Sequence, residues 1–293
     1  MRIWLMAARP RTLPAAIAPV LVGTAAAVEW YGSLPRPGAF LAALVGSIFI
    51  QIGTNLANDY SDARRGADTA DRLGPVRVTS AGLVTPRRVL YATWIAFAIA
   101  VACGIYLATV AGVVILIIGA FSIAAGVLYT GGPRPYGYAG LGELFVFLFF
   151  GLVAVNGSYY VQLEDLDALP LGLSIAIGFL ATAILVVNNV RDLETDRRAG
   201  KITLAVRAGR RNAIALYRML VLGAFFVLPV TLLGSGGSLL PLIGLLALPL
   251  AVGPMRTLTN RTDGPALNGA LAATGALLAV FSLLVSAGLL LAA

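Results

Sequence analysis

Histidine is missing altogether, and cysteine and lysine appear once each, as Cys103 and Lys201. Without histidine there is no Ser-His-Asp hydrolysis, no imidazole-bound zinc and no imidazole proton relay. One cysteine cannot form an intrachain disulfide. A metal could be held only through oxygen, from Asp, Glu, Asn or backbone carbonyls, which favours hard cations, Mg²⁺ above all. Charge is scarce too: 12% of the 293 residues, where soluble domains carry about 25%. With 59% of residues hydrophobic, the composition points to an integral membrane protein in a lipid bilayer. The net charge of +8 does not imply nucleic acid. The bases sit in short patches between long apolar runs, where they set topology and meet anionic groups at the membrane surface.

A spanning helix needs about 20 mostly apolar residues. Nine stretches qualify, at 13–28, 39–56, 89–108, 110–129, 141–161, 169–187, 214–233, 239–254 and 267–291. The first and eighth are short or contain proline, and a re-entrant segment there would reduce the count to eight. The expected fold is an all-α integral membrane bundle of about nine helices, one domain over 1–293. No small-residue cleavage site follows the first apolar run, so it reads as a membrane helix rather than a removed signal peptide. Nine helices in series put every Lys and Arg except Arg36 on one side. By the positive-inside rule that side is cytoplasmic, which for a bacterial chain means the cell (inner) membrane.

Two polar stretches follow apolar runs on that side. In one, Asn188, Asp192 and Asp196 stand at i, i+4 and i+8; in the other, Asn55, Asp59 and Asp62 stand at i, i+4 and i+7. On helices, each set shares a face. The two resemble an internal repeat offset by 133 residues, Asn55 and Asp59 on Asn188 and Asp192, consistent with two four-helix halves plus a ninth helix. Carboxylates one turn apart repel unless a cation lies between them. Two such faces across a cavity would hold one or two Mg²⁺ ions completed by substrate phosphate oxygens. Arg64, Arg65, Arg72, Arg77, Arg191, Arg197, Arg198 and Lys201 surround them, and Arg forks match phosphate geometry. The pattern suits a Mg²⁺–pyrophosphate complex beside an apolar bundle for a lipid tail. A cation transporter using the same acids is the reading from a different class; it predicts acids near the bilayer midplane rather than at helix ends.

Asn58-Asp59-x-x-Asp62 and Asp192-x-x-x-Asp196-x-x-x-Gly200-Lys201 resemble the two aspartate-rich motifs of the UbiA superfamily of intramembrane aromatic prenyltransferases, whose nine-helix layout covers essentially this whole chain. Many members carry an Asp where this chain has Gly66, and the next acids are Asp68 and Asp71. That variant, with Ala8-Arg9-Pro10-Arg11-Thr12-Leu13-Pro14 and the run from Tyr129 to Glu143, is similar to the menaquinone branch, which prenylates 1,4-dihydroxy-2-naphthoate. The resemblance implies transfer of a polyprenyl group from polyprenyl diphosphate to that acceptor, with loss of CO₂ and pyrophosphate, later oxidation giving demethylmenaquinone. It implies Mg²⁺ held by Asp59, Asp62, Asp192 and Asp196, with Asp68 a further candidate. Asn55, Asn58, Arg64, Arg65, Asn188, Arg191 and Lys201 are candidates for the diphosphate. Tyr129, Tyr136, Tyr138 and Glu143 are candidates for shielding the allylic cation or placing the acceptor. Arg9 and Arg11 could meet the acceptor carboxylate. Other acceptors within the family (4-hydroxybenzoate, homogentisate, a chlorophyll or haem precursor) stay open. Phe145, Phe147, Phe149 and Phe150 read as lipid or packing contacts.

Overall fold

The computed structural model describes residues 2–66, 73–74 and 76–293. Among these residues there is no strand, and nine apolar helices form the body: α1 Pro14–Tyr31, α2 Pro37–Arg64, α3 Pro86–Ala111, α4 Val114–Leu128, α5 Gly142–Leu163, α6 Ala168–Arg191, α7 Leu204–Ser235, α8 Leu240–Asn260 and α9 Gly264–Ala292. Eight of them are long and apolar enough to cross a membrane. The short one is α4, with 15 residues, not the first or the eighth as their length and prolines suggested. α8 gains reach by winding as a 3₁₀ helix over Leu240–Ala251. At about 2 Å per residue this covers more depth than an α-helix of the same length.

Proline starts α1, α2 and α3, where its missing N–H costs nothing. Asp167 and Asp263 begin α6 and α9 by accepting the backbone N–H of Leu169 and Ala266. α6 is buried along most of its length, whereas α3, α5 and α8 are buried along little of theirs. The main core joins α6 to α1, α7 and α9. α5 and α6 approach closely because both carry glycine at the crossing: a Cβ on Gly151 would stand 2.6 Å from the Gly178 Cα. Over Phe147–Val153, α5 widens into a π-helix, a local irregularity that often marks a functional wall.

The two ends of the bundle differ. At one end Arg36 donates to Glu164 at 2.5 Å and to the carbonyls of Val110 and Val161, so the α1–α2, α3–α4 and α5–α6 connections meet there. At the other end the tail of α2, the α4–α5 loop and the α6–α7 connection meet around Asp62, Tyr138 and Lys201. The odd count of helices between the two clusters fits this alternation. The ninth helix is no appendage, because α9 packs on α1, α6 and α8.

Candidate functional site

A cavity of about 360 Å³ runs from the second end into the bundle. Its deep part is apolar: Val20, Leu107, Ile115, Ile118, Val153 and Val161 line it. Among the described residues its mouth carries three cations, Arg9, Arg77 and Lys201, and three acids, Asp62, Asp192 and Asp196. The acids thus stand at helix ends, not at mid-depth.

On α2, successive residues turn by about 100°. Asn55, Asn58 and Asp62 reach the cavity wall, and Asp59 does not. This corrects the pairing of Asn55 with Asp59: the i, i+4 pair that faces the site is Asn58 and Asp62. The two motifs are therefore in register at an offset of 130 residues rather than 133, with Gly66 opposite Asp196. Asp59 turns to the segment after α2. Its two carboxylate oxygens accept the backbone N–H groups of Val78 and Thr79, each at 3.0 Å. Asp62 accepts from three distant segments: the Tyr138 hydroxyl at 2.7 Å, Arg77 Nη2 at 3.0 Å and Lys201 Nζ at 3.1 Å. Lys201 also stands 4.8 Å over the Tyr138 ring. Thr130 donates to Asn58 at 2.8 Å. Asn55 donates to the Ala8 carbonyl and to Thr12, which fixes the segment carrying Arg9. Arg9 holds a left-handed backbone, φ 53°, an arrangement a non-glycine residue keeps only where its surroundings enforce it. Arg11 is exposed and away from the cavity.

On α6, Asn188 and Asp192 line the wall, with Asp196 following on the short helix Leu193–Arg198. Arg191 lies behind that wall. Its guanidinium donates to both oxygens of Asp192, at 2.8 and 2.6 Å, and to the side-chain carbonyls of Asn188 and Asn268, each at 2.8 Å. Arg64 and Arg65 are exposed outside the cavity. Arg64 donates to the Tyr60 hydroxyl at 3.1 Å, while Arg65 donates to the Gly132 carbonyl and sits 5.8 Å over the Tyr138 ring. Asp68 lies outside the described residues, as do Asp71 and Arg72.

Tyr129, Tyr136 and Tyr138 all line the cavity. Tyr129 meets Tyr136 edge-on at 5.4 Å, Tyr136 stacks on Phe145 at 3.9 Å, and Phe145 stacks on Phe149 at 6.1 Å. The result is an aromatic ladder from the polar mouth into the apolar part. Phe145 and Phe149 are thus cavity wall, not lipid contacts. Burial, and then the nearby Glu143, push the Tyr129 phenol well above its ordinary pKa; burial alone raises Tyr136. Both keep their protons. Glu143 is buried one layer back, where Oε1 accepts from Asn189 at 2.9 Å and Oε2 has no hydrogen-bond partner. Sequence reasoning gave no role to Thr130, Asn189 or Asn268. Asn268 is an isolated polar residue near the start of α9, and no local pattern marks it.

The donor set at the mouth is oxygen only, as a hard cation requires. Among the described residues no three Asp, Glu, Cys or His side chains converge closely enough to hold a metal alone. Asp62, Asp192 and Asp196, with Asn58 and Asn188, offer the kind of oxygen atoms Mg²⁺ takes, and a ligand's phosphate oxygens and water would have to complete the set.

Residues 16–271 match the family model described as the UbiA prenyltransferase family. The chain is 43% identical to the 1,4-dihydroxy-2-naphthoate octaprenyltransferase of Mycobacterium tuberculosis, over 98% of this chain and 96% of that one. It is 41% identical to the enzyme of the same name from Escherichia coli, over 94% and 91%. Among solved structures, a UbiA homolog from Archaeoglobus fulgidus bound to GPP and Mg²⁺ superposes with a TM-score of 0.65 at 16% identity, over 97% of this chain and 99% of that one.

Proposed function

We propose, from the premise that this chain belongs to the UbiA prenyltransferase family, that it transfers a polyprenyl group from polyprenyl diphosphate to 1,4-dihydroxy-2-naphthoate, releasing CO₂ and pyrophosphate and giving the quinol that a separate oxidation converts to demethylmenaquinone. Relatives carrying that activity in their names align over nearly the whole chain. The observation that carries the reading is the cavity itself: a polar mouth at which, among the described residues, acids and bases stand together, continuous with an apolar tube. A wall that pairs acids with Arg and Lys does not suit a bare cation in transit. It suits a Mg²⁺–diphosphate complex, whose charges nearly cancel, attached to a hydrocarbon tail.

The diphosphate sits at the mouth, where Lys201 and Arg77 donate to its oxygens and Asn58 and Asn188 orient it. Asp62, Asp192 and Asp196 would hold Mg²⁺, which when bound would supply positive charge against the negative charge growing on the departing pyrophosphate. Arg191 does not touch substrate; it fixes the Asp192 carboxylate. Breaking the allylic C–O bond leaves a delocalised cation beside the ladder of Tyr129, Tyr136 and Phe145, whose faces attract it and whose packing excludes water. The electron-rich ring of the naphthoate attacks that cation at its carboxyl-bearing carbon. Loss of CO₂ returns the C–C electron pair to the ring, so the chain need supply no base at that carbon. Tyr129 and Tyr136, held protonated, are hydroxyl donors rather than phenolate bases. The polar mouth faces the cytoplasm of a cell membrane, on the side that holds all the bases but Arg36.

The test is incubation of the purified protein in nanodiscs with Mg²⁺, a polyprenyl diphosphate and a panel of aromatic acids. The expected result is a prenylated naphthoquinol with stoichiometric release of labelled carboxyl carbon from the naphthoate alone. Prenylation of another acid in preference, or of the naphthoate with its carboxylate retained, overturns the assignment.

A further inference from the structure

We propose that Asp59 is a positioning residue, a clamp on the segment that follows α2, and not a ligand for metal. The family motif places this acid beside Asp62, and both are buried. Their surroundings differ. Each oxygen of Asp59 is filled by a backbone N–H, from Val78 and from Thr79, and Asp59 is absent from the cavity wall. The segment it grips is a compact turn: Ala81 N–H donates to the Arg77 carbonyl, Gly82 N–H to Thr79, and the Leu83 and Val84 N–H groups both to Val78. Val78 is fully buried and packs with Leu56, Val89 and Ala7. The residue just before the clamp is Arg77, whose guanidinium reaches Asp62 at the cavity mouth. The segment is tied at its other end as well, where Asn268 donates to the Leu73 carbonyl while accepting from Arg191.

A carboxylate that accepts two adjacent backbone N–H groups holds a turn as an N-cap holds a helix. The clamp thus fixes where Arg77 stands. Two acids three residues apart divide the work: Asp59 takes the backbone of the turn, and Asp62 takes the side chain that the turn delivers. Arg77 is then set to move from Asp62 to an incoming diphosphate, so Asp59 acts on substrate affinity through it. This rests on the proposed prenyl-transfer reading only in what Arg77 binds.

The experiment compares the full chain in nanodiscs with its Asp59→Asn, Thr79→Pro and Asp62→Asn variants. Thr79→Pro deletes one clamped N–H and leaves every carboxylate in place. It keeps the test valid should Asp59→Asn fold poorly. Amide hydrogen exchange of the peptide covering 77–84 is read together with Mn²⁺ binding by electron paramagnetic resonance, with a non-reactive prenyl thiolodiphosphate held saturating for every variant. KM for polyprenyl diphosphate is measured alongside. Asp59→Asn and Thr79→Pro should both speed exchange of that peptide and raise KM about tenfold, with Mn²⁺ affinity within twofold of the parent. A tenfold or greater loss of Mn²⁺ affinity in Asp59→Asn overturns the clamp, whatever the exchange does. Unchanged exchange in both variants overturns it too. Mn²⁺ binding retained by Asp62→Asn would instead count against the metal reading, and the exchange data would still decide the role of Asp59.

Discussion

The ends of α2 and α6 carry the same pair, Asn-x-x-x-Asp, and support it in opposite ways. Asp192 is compensated from its own neighbourhood, by the guanidinium of the preceding residue, Arg191. Asp62 is compensated from far away, by Arg77, Tyr138 and Lys201 on three separate segments. The α6 motif carries a guanidinium partner within its own sequence, and the α2 motif is a junction at which the mouth of the cavity is assembled. A repeat in sequence has become a division of labour in structure.

The largest effect should come from breaking the junction. Asp62→Ala leaves Arg77 and Lys201 buried beside each other without their shared acceptor, and removing one member of a buried pair costs about 3–5 kcal/mol. Turnover should fall by about 10³-fold or more. Asp192→Ala should lose turnover as fully and also cost stability, since it leaves the buried Arg191 with only the neutral carbonyls of Asn188 and Asn268. The cost should be smaller because, among the described residues, one cation loses its carboxylate there and two lose it at Asp62. Unfolding in detergent measures the difference; an Asp192 variant less stable than the Asp62 variant would contradict the asymmetry between the two motifs.

That asymmetry was only half legible in the sequence. On α6 the i, i+4, i+8 series of Asn188, Asp192 and Asp196 has one solution, and all three line the cavity. On α2, Asn55 with Asp59 and Asn58 with Asp62 make two overlapping series, and spacing alone does not choose between them. The choice is made by the turn at 77–84, which comes back to cover Asp59 from about twenty residues away. The nine apolar helices, with both motifs at one end, followed from hydropathy and charge. The short α4, the 3₁₀ winding of α8 and the π-helix in α5 did not, because packing and backbone geometry set them rather than apolar content. The same holds for Phe145, whose place on the cavity wall depends on its stack with Tyr136 across a loop.

Lys201→Met should have the next largest effect. It removes the one ammonium that ties the α6–α7 connection to Asp62, and affinity for the prenyl diphosphate should fall about tenfold or more. Direct binding of a thiolodiphosphate analogue measures this. A smaller change is expected from Tyr138→Phe, which deletes a single hydroxyl donor to Asp62. A hydrogen bond to a charged group contributes about 1.5–3 kcal/mol, so turnover should drop by about tenfold while the α6 motif is undisturbed. Smallest of all is Arg36→Ala at the opposite end. Its ion pair with Glu164 is half-exposed, and such pairs contribute up to about 1 kcal/mol, to which its part-buried bonds to the Val110 and Val161 carbonyls add. Stability should fall and turnover should not change; a large loss of activity would mean that the far end also takes part.

The central claim is that the α2 and α6 motifs grip one ligand together. The most direct test is binding of a prenyl thiolodiphosphate with Mg²⁺ to the parent chain, to Asp62→Asn, to Asp192→Asn and to the double variant. If both acids serve one Mg²⁺–diphosphate complex, each single variant loses binding almost completely and the double variant loses little more. Full binding retained by either single variant, or losses that simply add, would contradict it.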